Sequence, residues 1–222
     1  MKKKIQLGII GKNFGYNVLY KSLKNNNNFK VTAFCMKSKV ASVNLPKNIK
    51  LYNNWKNLIK DKKIQAVLIV TPPFLHKKII SFAIKYNKHI FCEKPCCISA
   101  LQNFDVIKRV QKNENFISHM VNYEIAELSA FKLFNKIINS QKIKSGSLNW
   151  IIFNNTKKKN WKNNHKQGGG LIFNFYCHSL FYLEKMFGDI TSTKIKLKNN
   201  GFKEDKFLKG DVIFNSGLKI NV

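Results

Sequence analysis

Residues 65–95 read QAVLIVTPPFLHKKIISFAIKYNKHIFCEKP, and the order of signals in this stretch decides the fold. A short apolar run, Ala66 to Val70, reads as a buried strand. Thr71-Pro72-Pro73 ends it, because proline has no N–H for a ladder and fixes its own φ. Helix-period residues follow from Leu75 to Tyr86, with the helix opening near His76. A second apolar run, His89 to Cys92, then delivers Glu93-Lys94-Pro95. Strand, helix and strand in succession are the unit of a parallel sheet, and the residues that follow its strands gather at the carboxyl edge, where open α/β sheets bind ligands.

The same alternation extends towards both ends. Apolar runs recur at Ile5 to Ile10, Val31 to Met36 and Phe116 to Val121, and Leu101 to Gln111 has helical period. This predicts a doubly wound parallel sheet with helices on both faces over residues 1–121. From Asn122 the pattern changes. A helical stretch, Leu128 to Ile138, precedes a strand-like Ser147 to Phe153, a Lys/Asn loop, an apolar helix from Gly170 to Phe187, and strand-like runs near Thr193 to Leu197, Lys209 to Asn215 and Leu218 to Val222. Residues 122–222 are thus expected to form an α+β domain.

Composition narrows the function classes. A chain of 222 residues with 44% hydrophobic content buries a substantial core. The start, MKKKIQLGII, is basic, but its apolar run is short and ends in a glycine turn, so it does not read as a signal peptide. No stretch has the length of a membrane span. The five cysteines are odd in number and lack C-x-x-C spacing, which points to reduced thiols in a cytoplasmic protein and to no metal site. A net charge of +29 invites a nucleic-acid reading. Against it, Arg109 is the single arginine, and the lysines come with abundant Asn, Ile and Phe, the signature of an A/T-biased coding sequence. With no reading motif and no aromatic-basic platform, nucleic acid is not expected as a partner.

Residues 8–15, GIIGKNFG, are the first candidate site. Gly11 suits the sharp turn from strand to helix and Gly15 suits close helix–strand approach, with Asn13 and Phe14 between them and a helix expected from near Asn17. Asn13 stands where G-x-G-x-x-G has its second glycine, and asparagine tolerates positive φ better than other side chains. After the second strand, CMKSK (35–39) carries no acid; Lys37 and Ser38 suit a 2′-phosphate, hence NADP over NAD.

Taken together, T-P-P-F-L-H at 71–76 and E-K-P at 93–95 resemble the glucose-fructose oxidoreductase / inositol dehydrogenase family of NAD(P)-dependent enzymes, whose signature includes T-P-x-x-x-H and E-K-P. VNYEIAEL (121–128) resembles that family's domain crossover, and GGGLIFNFYCH (168–178) its G-G-G-x-L-x-D-x-G-x-H helix. The likeness spans essentially the whole chain. It departs at Asn13, at Asn174 in the family's Asp position, and at Tyr176 in place of a small residue.

The resemblance implies a Rossmann domain followed by an α+β domain with a mostly antiparallel sheet, binding NADP or NAD through Gly11, Asn13, Phe14, Gly15, Lys37, Ser38, Thr71, Pro72, His76 and Glu93. It implies a polyhydroxylated substrate (sugar, nucleotide sugar or cyclitol), with Lys94, His178 and Asn174 as catalytic residues. Oxidising a secondary alcohol needs a base for the hydroxyl proton, and an imidazole with an ordinary pKa of ~6.5 serves. Lys94 would stabilise negative charge on the reacting oxygen, and Asn174, one helical turn before His178, would orient substrate without supplying a carboxylate. A histidine in an apolar helix is by itself a structural residue; the glycine triplet and E-K-P make His178 a site residue. The rival reading is a cofactor-binding protein without turnover, either a sensor or a degenerate fragment of such an enzyme, in keeping with Asn13, Asn174 and the abrupt end of the chain. The family's second domain continues past the point matched by GLKINV, so a longer protein, homo-oligomeric through that sheet, is expected.

Overall fold

The computed structural model describes residues 3–36, 44–113, 115–153, 161–199 and 205–222, and its chain divides into two compact units, Met1–Asn122 and Tyr123–Val222. In the first, strand β1 (Ile5–Ile10) leads into helix α1 (13–23), then come β2 (Phe29–Cys35), β3 (Lys50–Tyr52) and helix α2 (Trp55–Lys60). Next are β4 (Ala66–Ile69), α3 (His76–Lys85), β5 (His89–Glu93), α4 (Ala100–Gln111) and β6 (His119–Asn122). All six strands pair in parallel, in the order β3-β2-β1-β4-β5-β6. That order is the Rossmann arrangement, in which the direction of winding switches between β1 and β4.

Alternation along the strands explains why both faces are covered. Ile9 and Leu68 join Leu7, Val31, Phe34 and Tyr20 in one buried cluster. Their neighbours Ile10, Val67 and Ile69 join a second, with Leu58 of α2, Ile79, Ile80 and Ala83 of α3 and Val106 of α4. Successive side chains point to opposite faces, so a strand that is apolar throughout is stable only when sandwiched. Each fully buried Ile or Leu of this kind contributes about 1.5–3 kcal/mol relative to exposure.

In the second unit come α5 (Ser129–Asn139), β7 (Ser145–Ser147), α6 (170–187), β8 (Ile190–Asn199), β9 (Asp205–Phe214) and β10 (Lys219–Asn221). The four strands form a sheet in the order β7-β10-β9-β8, antiparallel except for the parallel pair β10–β7. Tyr176 and Leu183 of α6 pack on Val212, Phe214, Leu218 and Ile220 of this sheet and its turn.

The structure differs from the sequence reading in four places. Strand β3 and helix α2 were not foreseen; α2 is short and opens with Asn54, whose side chain accepts from the Lys56 N–H at 2.9 Å. Helix α1 begins at residue 13, not near Asn17. The expected strand Ser147 to Phe153 is a three-residue β7, because only Ser145–Ser147 finds a partner in β10; beyond it Ile151 and Phe153 are 77% and 89% exposed. Among the described residues no helix is long and apolar enough to cross a membrane.

Candidate functional site

At the carboxyl end of β1 the chain must turn into α1 beside the end of β4, and Gly11 makes this possible. Its φ is +128°, and a Cβ added there would stand 2.4 Å from the Val70 carbonyl oxygen. Its N–H donates to the Cys35 carbonyl at 3.0 Å, closing the turn against β2. Gly15 lets α1 approach the sheet, since a Cβ there would stand 2.7 Å from Ile9 Cγ2. The Tyr16 N–H donates to the Lys12 carbonyl at 2.7 Å. The N–H groups of Asn13, Phe14 and Gly15 therefore precede the helix's own acceptors, and they emerge at the winding switch.

The conformational role expected of Asn13 is corrected. Among the described non-glycine residues only Asn87 has positive φ, so Asn13 sits in the right-handed first turn of α1 without strain. What it changes is bulk at the place where a second glycine lets backbone approach a pyrophosphate. Lys37 and Ser38 lie outside the described residues.

At the end of β4, Thr71 Oγ1 is buried with no hydrogen-bond partner. An orphaned hydroxyl beside a helix N-terminus at the winding switch fits a bound dinucleotide, which would satisfy both. Pro72 is extended (φ −57°, ψ 143°) and half-buried, carrying the chain out of the sheet into α3.

The sequence leaves His76 as a structural or cofactor-edge residue, and the structure shows its ring buried. It is 0% exposed, with Nε2 2.7 Å from the Thr71 carbonyl and Nδ1 2.9 Å from the Pro95 carbonyl. Its ring is thus inside the fold, tying the segment after β4 to the segment after β5. Burial pulls its pKa below the ordinary imidazole value, opposed by the carbonyls of Thr71, Pro95 and Cys96. A neutral ring donates to only one of the two oxygens that face its nitrogens.

Glu93 ends β5 in register with Asn122, the last residue of β6, and the Asn122 Nδ2 donates to Glu93 Oε1 at 2.5 Å. Asn122 is buried, so the edge strand β6 holds this carboxylate in place. Lys94 follows, half-buried, at the carboxyl edge.

The second unit carries the other candidates on α6, whose segment Ile172–Tyr176 has the wider i→i+5 bonding found mostly as isolated turns and often at functional sites. Asn174, inside it, donates through Nδ2 to the Lys162 carbonyl at 2.8 Å. His178 is 5% exposed, with Nδ1 3.1 Å from the Tyr182 hydroxyl. Its ring lies against Tyr182 (5.8 Å between centroids), Tyr123 (5.7 Å, edge to face) and Trp150 (5.9 Å). Tyr176 is buried in the core, its hydroxyl without a partner, beside a cavity of about 450 Å³ lined by Trp150, Phe175 and Phe207 among others. Among the described residues no group of three or more His, Cys, Asp or Glu is placed to hold a metal.

Sequence reading missed Asn122, Tyr123 and Tyr182 as site residues. Asn122 and Tyr123 stand in the crossover motif directly after an apolar strand, and Tyr182 stands four residues after His178, a spacing that brings side chains together on a helix.

Comparison with known proteins agrees with this fold. The profile of the GFO/IDH/MocA family, described as an oxidoreductase family with an NAD-binding Rossmann fold, matches residues 5–122. The chain belongs to this family of NAD-binding oxidoreductases. It is 26% identical over 234 aligned residues to the 2,7-anhydro-N-acetylneuraminate hydratase of Escherichia coli, covering 96% of this chain and 59% of that protein. It is 37% identical to the inositol 2-dehydrogenase of Salmonella typhimurium over 62 residues, 28% of this chain and 18% of that one. Among solved structures, an oxidoreductase from Thermotoga maritima superposes with a TM-score of 0.83 at 20% identity, covering 99% of this chain and 71% of that one. The biliverdin reductase of Synechocystis, in complex with biliverdin and NADP+, gives 0.81 at 17% identity, with 98% and 71% covered. The chain thus spans about three fifths of the length of its E. coli relative.

Proposed function

We propose that this chain binds NADP or NAD and serves hydride transfer to or from a polyhydroxylated substrate: a sugar, a nucleotide sugar or a cyclitol. The observation that carries the reading is the Gly11 turn, with the α1 N-terminus and the orphaned Thr71 hydroxyl beside it, at the winding switch of a parallel sheet. The substrate class is supported by the names of two relatives, one after an anhydro-neuraminate and one after inositol.

In this reading Gly11, Asn13, Phe14 and Gly15 receive the pyrophosphate, and Thr71, Pro72 and Glu93 border the cofactor. Lys37 and Ser38 favour a 2′-phosphate. A bound nicotinamide supplies or accepts the hydride. His178 takes the proton of the reacting hydroxyl, and the Lys94 ammonium hydrogen-bonds the same oxygen as negative charge develops. Asn174 holds the 161–163 turn through Lys162 and orients substrate as a neutral group. Five free cysteines accord with a cytoplasmic protein.

Titration with NAD and NADP, followed by energy transfer from tryptophan to reduced cofactor, tests the reading. NADP is expected to bind at least as tightly as NAD; a clear NAD preference unaltered by Lys37→Ala would overturn the cofactor preference, and binding of neither would overturn the function. Cofactor binding without hydride transfer to inositol or any of a panel of sugars would assign a binding protein without turnover.

A further inference from the structure

Nothing in the sequence motifs assigns a partner to His178, and the position where the family has an Asp holds Asn174, whose amide is engaged on the Lys162 carbonyl. The structure supplies a partner from the other direction along α6. Tyr182, one turn later, places its hydroxyl 3.1 Å from His178 Nδ1. We propose that Tyr182 is the positioning residue for His178: its oxygen accepts the hydrogen of Nδ1 and so makes Nε2 the nitrogen that exchanges the proton with the substrate.

Two features fix the Tyr182 oxygen. Its ring is gripped by Phe131 of α5 at 5.4 Å, by Phe181 at 5.6 Å and by Tyr123 at 6.4 Å, so the hydroxyl has little freedom to swing away. It keeps its own proton at working pH, because burial first, and then the nearby Glu124, push its pKa up to about 12. The other ionisable group acting on it is Cys177.

The chemistry follows from what an imidazole needs. Proton uptake at Nε2 requires that the hydrogen of the neutral ring sit on Nδ1, and a hydrogen-bond acceptor at Nδ1 selects that tautomer. The same oxygen goes on accepting from Nδ1 when the ring becomes imidazolium, so no group need rearrange during proton transfer. Unlike a carboxylate, a neutral phenol adds no charge, so it orients the ring and raises its basicity only slightly.

This inference rests on the reading of His178 as the acid–base group, and the test separates the two. Nitrogen NMR of the full chain labelled in histidine, without substrate, reports the His178 tautomer directly. Wild type should show hydrogen on Nδ1, and Tyr182→Phe, which keeps the ring and its stacking, should shift the population towards the Nε2 tautomer and lower the His178 pKa. In assays Tyr182→Phe should lower kcat about 10- to 100-fold with KM little changed, a part of the typical acid–base contribution, and move the acidic limb of the pH profile to lower pH. Hydrogen on Nε2 in wild type, with Tyr182 donating, overturns the proposal, as does a His178 signal unchanged by Tyr182→Phe. The wild-type spectrum decides even if the variant does not fold. An Nδ1 tautomer lost in Tyr182→Phe, together with a fully active His178→Ala, would leave the pairing standing and defeat the catalytic reading.

Discussion

Gly11 stands against the backbone of Val70, where a Cβ would lie 2.4 Å from the carbonyl oxygen. The contact joins the carboxyl ends of β1 and β4, so a side chain at Gly11 both strains φ and wedges apart the two strands that flank the winding switch. Gly11→Ala should destabilise the chain by about 2 kcal/mol or more, from the strained backbone conformation and the clash together. Denaturant unfolding checks this, and an unchanged midpoint would show that the turn can relax.

Asn13 gives the opposite expectation. It lies in a helical first turn with no conformational need for glycine, so Asn13→Gly should cost at most about 1 kcal/mol of stability. It should nevertheless tighten cofactor binding, because the removed side chain opens the approach to the pyrophosphate. Calorimetric titration with NADP decides; equal or weaker affinity would show that Asn13 contributes a contact of its own.

His76 predicts a pH dependence. Burial holds its folded-state pKa below the ordinary ~6.5, so on acidification the unfolded chain takes up this proton first. Its contribution to stability is complete above about pH 6.5 and falls as pH drops from there towards the folded pKa. His76→Asn should flatten the slope of stability against pH over this range relative to the parent. A slope unchanged by the substitution would mean that the ring takes up its proton at the same pH folded and unfolded, the facing carbonyls offsetting burial in full.

These residues also show what the sequence displays and what it hides. The strands on either side of the winding switch are legible because a parallel sheet buries both faces and leaves apolar runs, uninterrupted in Ala66 to Val70 and broken by Gln6 in Ile5 to Ile10. Strand β3 is not, since its three residues, Lys50–Tyr52, pair along one edge only and carry no pattern. Ser147 to Phe153 misleads for a related reason: alternation predicts a strand, but pairing depends on a partner distant in sequence, and β10 meets only Ser145–Ser147. Motif residues such as Gly11 and Glu93 are visible by spacing. The groups that hold site residues in place, Asn122 on Glu93 and Tyr182 on His178, come from register and helix packing.

Tyr176 carries an orphaned hydroxyl in the core of the second unit, where the sequence pattern of the family has a small residue. A buried donor without a partner costs roughly 1–3 kcal/mol, so Tyr176→Phe, which keeps the ring on Val212 and Phe214, should stabilise the chain by roughly 1 kcal/mol. Thermal unfolding measures it. A loss of stability would show that water in the adjoining cavity satisfies the hydroxyl.

The roles assigned to Lys94 and His178 make a paired prediction. Neither belongs to the glycine turn that would hold the pyrophosphate, so Lys94→Ala and His178→Ala should each leave the dissociation constant for NADP nearly unchanged. Each should lower kcat by about 10²- to 10⁴-fold, the usual contribution of a positioned acid–base or charge-stabilising group. The two should differ in their pH profiles. Losing His178 removes the titrating base, so the acidic limb should vanish and the residual rate rise with hydroxide, whereas Lys94→Ala should lower the whole profile and keep that limb. If His178→Ala turned over at the parental rate, His178 would be a structural histidine held among Tyr123, Trp150 and Tyr182, and proton transfer would fall to Lys94 or solvent.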